Sequence, residues 1–73
     1  MQFVPGQQIV WSYRPRHTPR RICLVAGEVV SGAGRRIRIR VRTTQDTTTL
    51  RWVEPAYLRL KAPHEPLYCY PLP

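Results

Sequence analysis

Residues 35–43 read Arg-Arg-Ile-Arg-Ile-Arg-Val-Arg-Thr, and this stretch decides the fold class. Ile37, Ile39 and Val41 alternate with Arg36, Arg38, Arg40 and Arg42 at a strict period of two. Successive side chains of a strand point to opposite faces, so the stretch reads as a strand with one apolar face and one basic face. Residues 22–31, just upstream, are rich in β-branched types and carry Gly27 where a strand can bend. A three-residue Gly32-Ala33-Gly34 loop between the two strands sets Val29 opposite Ile37, Gly27 opposite Ile39 and Val25 opposite Val41, with Glu28 across from Arg38.

Downstream, residues 44–47 hold Asp46 and no large apolar group, which suits a four-residue hairpin loop. Residues 48–53, TTLRWV, then fold back with Leu50 opposite Val41 and Trp52 opposite Ile39, both on the core face. That register puts Arg51 opposite Arg40. At the start of the chain, Pro5-Gly6 marks a turn, and residues 7–13 place Ile9, Trp11 and Tyr13 on one side of another period-two run. Residues 14–21, RPRHTPRR, contain two prolines and no alternation, and read as a loop. Glu54-Pro55-Ala56-Tyr57-Leu58 fits a single 3₁₀ turn, after which Leu58 and Leu60 begin a short last strand.

Five short strands, a long loop between the first two, and a 3₁₀ turn before the last make an all-β plan. It resembles the five-stranded SH3-like barrel shared by Tudor, KOW and SH3 domains and by small uncharacterised bacterial proteins. The resemblance rests on Pro5-Gly6-Gln7-Gln8-Ile9-Val10-Trp11, the bend at Gly27, and Arg51-Trp52-Val53-Glu54-Pro55-Ala56-Tyr57-Leu58, and covers residues 3–61. It implies a fold, and fold alone does not give function. One enzyme of this architecture, the type II dihydrofolate reductase, carries Val-Gln-Ile-Tyr before its 3₁₀ turn. The matching positions here are Leu50, Arg51, Trp52 and Val53, so that activity is not implied.

The chain has 73 residues, 42% of them hydrophobic, with 12 Lys+Arg against 4 Asp+Glu and a net charge of +8. This is one small domain, burying only about 60% of the surface its unfolded chain exposes, too thin for a deep catalytic pocket. The acids Glu28, Asp46, Glu54 and Glu65 show no paired spacing, and neither histidine sits beside a nucleophile, so no enzyme activity is expected. Cys23 and Cys69 with His17 and His64 have no recognised metal-ligand spacing, and neither metal nor cofactor is expected. Without a signal-peptide pattern or a membrane-spanning apolar run, the expectation is a soluble cytoplasmic protein.

Charge is the strongest functional signal. Residues 14–42 hold nine basic groups against one acid, Glu28, and all but one of the chain's twelve cations are arginine. Alternate strand residues stand about 6.6 Å apart, close to the step between phosphates on an extended nucleic-acid strand. Arginine also forks phosphate oxygens bidentately. Arg36, Arg38, Arg40 and Arg42 are therefore expected to contact phosphates of DNA or RNA, extended by Arg51 and clamped from the loop by Arg14, Arg16, Arg20 and Arg21. Tyr13 and Tyr57 are candidates for base stacking or peptide binding, whereas Trp11 and Trp52 are expected in the core. The alternative is a protein-interaction module that takes an acidic or proline-rich partner.

Residues 62–73, APHEPLYCYPLP, form a proline-rich tail. Tyr68, Tyr70 and Leu72 alternate there, either in a disordered terminus or as an apolar strip laid along the barrel or along a second copy, the last giving a homodimer.

Overall fold

The alternating arginine stretch is the third of five strands. The computed structural model describes residues 3–17 and 20–71, arranged as β1 (Gln8–Tyr13), β2 (Cys23–Ala33), β3 (Arg36–Arg42), β4 (Thr48–Val53), a 3₁₀ turn (Pro55–Tyr57) and β5 (Leu58–Leu60). Neighbouring strands are antiparallel in the order β4-β3-β2-β1-β5. The all-β plan with its 3₁₀ turn directly before the last strand is as expected. The sheet is not closed by hydrogen bonds, and β4 and β5 stand at its two edges.

The inner face carries the core. Ile9, Val25, Val29, Ile37, Ile39, Val41, Val53 and Leu58 are buried there with Phe3 and Tyr70, and Trp11 and Tyr13 pack against them half-buried. The period-two readings of β1 and β3 thus select the inner face correctly.

Both hairpin registers differ from the sequence expectation. Between β2 and β3 the turn is the two-residue Gly34-Arg35, flanked by the pair Ala33↔Arg36. Gly34 has φ +61°, a sign that glycine adopts without a Cβ clash at the first turn position. Val30 bulges out of the ladder between Val29 and Ser31 and shifts the register there by one residue. As a result Val29 faces Ile39, Gly27 faces Val41, and Glu28 lies across from Arg40 instead of Arg38.

The second correction changes faces. The β3–β4 turn has three residues, 44–46, closed by the Thr43 amide donating to the Thr47 carbonyl at 2.8 Å. Asp46 takes φ +62°, a left-handed conformation that aspartate tolerates better than most residues. With one loop residue fewer, Trp52 pairs with Arg38, Leu50 with Arg40, and Arg51 with Ile39. A one-residue slip turns every side chain of a strand over. Leu50 and Trp52 are therefore exposed on the outer face, Arg51 lies on the inner face, and the expected Arg40/Arg51 opposition does not occur.

The tail docks on the sheet of its own chain. The β2–β3 ladder ends at Gly27↔Val41, and beyond it the Ala26 amide donates to the Tyr68 carbonyl at 2.8 Å. On the other side, the Tyr70 amide donates to the Arg42 carbonyl at 2.7 Å and the Thr44 amide to the Tyr70 carbonyl at 3.1 Å. Tyr70 turns inward, its ring 5.9 Å from that of Trp11, 5.0 Å from that of Tyr13, and 5.2 Å from the Arg51 guanidinium carbon. It thereby joins β1 to β4 across the inner face of the open sheet. Leu72 lies outside the described residues.

Two stability outcomes follow from this packing. A Cβ on Gly27 would sit 2.8 Å from the Arg40 carbonyl oxygen and 3.0 Å from Val41 Cγ1. Gly27→Ala is therefore expected to lose about 1–3 kcal/mol by urea unfolding, and an unchanged midpoint would refute the close approach. Tyr70→Ala is expected to lose about 3 kcal/mol or more. Tyr70→Phe is expected to lose about 1 kcal/mol, because the hydroxyl makes a 3.5 Å contact with Tyr13 and also interacts with Arg51; losses equal to those of Tyr70→Ala would mean that the hydroxyl, not the ring, holds the tail.

Candidate functional site

The outer side of β3 presents Arg36, Arg38, Arg40 and Arg42 in one row about 20 Å long by strand geometry. Arg36 is exposed. Arg38 is half-buried, its guanidinium carbon 5.6 Å from the centroid of the Trp52 ring, and its Nε is buried without a hydrogen-bond partner. Arg40 stands 3.7 Å from a Glu28 carboxylate oxygen, and Arg42 donates through Nε and Nη2 to Asp46. Both pairs are solvent-exposed, worth about 0–1 kcal/mol each, so a phosphate can compete for these cations.

Arg51 is not part of this row. It is half-buried on the inner face, donates to Thr49 Oγ1 at 3.3 Å and to the Leu50 carbonyl at 3.0 Å, and lies over Tyr70. The loop residues Arg14, Arg16, Arg20 and Arg21 are all exposed. Antiparallel pairing brings the end of β1, the start of β2 and the end of β3 to the same end of the sheet, so these four gather at the Arg42 end of the row.

The aromatics divide differently from expectation. Trp52, expected in the core, is 46% exposed beside Arg38. Tyr57 is exposed on the 3₁₀ turn, while Tyr13 is engaged with Trp11 and Tyr70. The hydrogen bond with Tyr70, then burial, raises the Tyr13 phenol above its ordinary value. Burial pushes Tyr70 upward too, but its hydrogen bonds with Tyr13 and Arg51 and the Arg51 charge outweigh that and bring it below its ordinary value.

Alongside the arginine row runs an open groove of about 380 Å³. Arg40 and Arg42 line one side, Leu67, Tyr68 and Cys69 of the tail another, and Gln8, Ala26 and Glu28 contribute its polar and small groups. Sequence reasoning missed this site because its tail wall is twenty-five or more residues away in the chain from Arg42. The alternation of Tyr68 and Tyr70 was the available signal: one faces the groove, the other the core.

A clamp at the start of the tail fixes that wall. Arg59 donates to both Glu65 oxygens, at 2.5 and 2.7 Å, and Glu65 Oε1 also accepts the Ala62 amide at 2.9 Å. The Glu65 amide donates back to the Ala62 carbonyl at 3.1 Å, closing the turn that sends the tail across the sheet. Hydrogen bonds from Arg59 and from the Ala62 amide hold the Glu65 carboxyl at about 2, against an ordinary 4.5.

Both cysteines are free thiols, and among the described residues no three His, Cys, Asp or Glu side chains gather to hold a metal ion. No helix of the described residues is long and apolar enough to cross a membrane. Compared with known protein families, with curated proteins and with solved structures, the chain matches none at significance.

The Glu65 carboxyl titrates lower in the folded chain than in the unfolded one, so its contribution is complete above pH 4.5 and is lost as pH falls towards 2. Amide exchange at Ala26 and Tyr70, the two amides that bond between sheet and tail, is expected to accelerate over that interval relative to the rest of β2 and β3. Glu65→Gln is expected to flatten this acid limb, and an unaltered profile would show that the clamp does not hold the tail.

Proposed function

We propose that this chain is a non-enzymatic, SH3-like binding module whose outer face holds the phosphates of nucleic acid with little sequence preference. The observation that carries this reading is the unbroken row Arg36, Arg38, Arg40, Arg42 on one side of β3, with Trp52 exposed beside it. The strand order and the 3₁₀ turn before β5 support the SH3-like part of the proposal. A net charge of +8 on 73 residues supports long-range attraction of a polyanion. The loop arginines add cations at the Arg42 end. The protein-interaction alternative keeps the exposed Tyr57 but has less to draw on at Tyr13, which is engaged with Trp11 and Tyr70.

Labelled oligonucleotides titrated across a salt series test this reading. Log affinity is expected to fall with log salt by about 0.7–0.9 per phosphate contacted, and Arg38→Ala with Arg40→Ala to reduce that slope by about 1.4–1.8. Unchanged affinity and slope would remove this face from the reading. No binding at low salt would remove nucleic acid itself.

A further inference from the structure

The groove beside the arginine row has features that a phosphate-binding surface alone does not need. Its tail wall brings Tyr68 to Arg40 and Arg42, and Trp52 stands beside Arg38 at the other end of the same row. Arg38 and Arg42 are four residues apart, about 13 Å along the strand, so an aromatic ring flanks the cations at each end. From the geometry we infer that the outer face takes single-stranded nucleic acid with its bases unstacked, one base on Trp52 and one in the groove against Tyr68. The inference rests on the phosphate-binding reading and adds to it the class of strand.

The physical case is one of matching chemistry. Single-strand binders combine a cationic track for the backbone with aromatic rings on which separate bases stack. Here the track is Arg36–Arg42 and the rings lie beside it on the same face. In a duplex the bases are stacked on one another and cannot reach either ring without being opened. The groove's volume of about 380 Å³ lies at the lower end for small-ligand sites, suiting a single base with its sugar. Its polar lining is also placed for a base: with the phosphate on Arg40 and Arg42, the Gln8 amide and the Glu28 carboxylate lie within the same groove to meet donors on the base edge. Glu28 would repel a second phosphate there. Arg38 is already laid on Trp52, which fixes both groups before a ligand arrives.

Fluorescence anisotropy with three labelled probes of equal length distinguishes the possibilities: a mixed-sequence single strand, its duplex, and an abasic single strand. The single strand is expected to bind at least about five-fold tighter than the other two at the same salt, and Trp52→Ala and Tyr68→Ala each to cost the single strand about five-fold or more. Tyr68→Ala can also loosen the tail. Two-dimensional NMR of the unaltered protein therefore supplies a second readout: on titration with the single strand, the Trp52 indole N–H and the Leu67, Tyr68 and Cys69 amides are expected to shift, and with the abasic strand much less. Equal or tighter duplex binding, or an abasic strand that matches the single strand, would overturn the single-strand inference and leave phosphate binding standing. Absence of binding by all three probes would overturn both.

Discussion

The Thr43 hydroxyl sets the length of the β3–β4 turn, and that length decides what each face of the sheet contains. Thr43 is 2% exposed, and its Oγ1 accepts from the Gln45 and Thr47 amides at 3.2 Å and lies 2.7 Å from Thr47 Oγ1. Three bonds to one buried oxygen hold a three-residue loop closed between Thr43 and Thr47. With a fourth residue in the loop, Trp52 and Leu50 would turn inward and Arg51 and Val53 outward. Trp52 would then leave Arg38, and Tyr70 would lose the guanidinium on which it rests. The same turn also meets the tail through the Thr44 amide, so the inner plug and the outer groove both depend on it.

The hydrophobic effect alone favours the other register, since burying a tryptophan and a leucine removes more apolar surface than burying one valine. Space is what opposes it. The inner face already receives Phe3 from the start of the chain, Tyr70 from its end, and Trp11 and Tyr13 from β1. A domain of this length has one thin core, and the tail fills the volume that Trp52 would have needed. The tail is suited to its place. Tyr70 must donate from its backbone amide, while Pro66 and Pro71, which have no amide hydrogen, flank the bonded stretch.

Residues whose partners are local were readable from the sequence. The two faces of β3, the inward set of β1, the extent of β4 and the 3₁₀ turn all follow from alternation and from proline placement. The hairpin registers were not readable: between β2 and β3 the turn moves to Gly34-Arg35 and Val30 is absorbed as a bulge, and between β3 and β4 Thr47 closes the strand instead of lying in the loop. Arg51 was consequently assigned to the wrong face and Trp52 to the core. The four arginines of the outer row were legible because they lie on one strand. The groove beside them was not, since it is assembled from β1, β2, β3 and a tail whose Tyr68/Tyr70 alternation marks two faces without fixing where on the sheet they dock.

The arginine row is itself divided by its neighbours. Like charges about 6.6 Å apart repel by about 0.6 kcal/mol per pair in water, before salt reduces it. Glu28 and Asp46 offset this at Arg40 and Arg42. Among the described residues no carboxylate reaches Arg36 or Arg38, and only the face of Trp52 meets Arg38 there. Within the row the cations without a carboxylate partner are therefore at the Arg36/Arg38 end, where Arg38 already rests on an aromatic ring. A phosphate meets these two cations without displacing an acid. At the groove end it must exchange with Glu28 and Asp46, and there the apolar tail wall adds to the attraction that charge alone supplies.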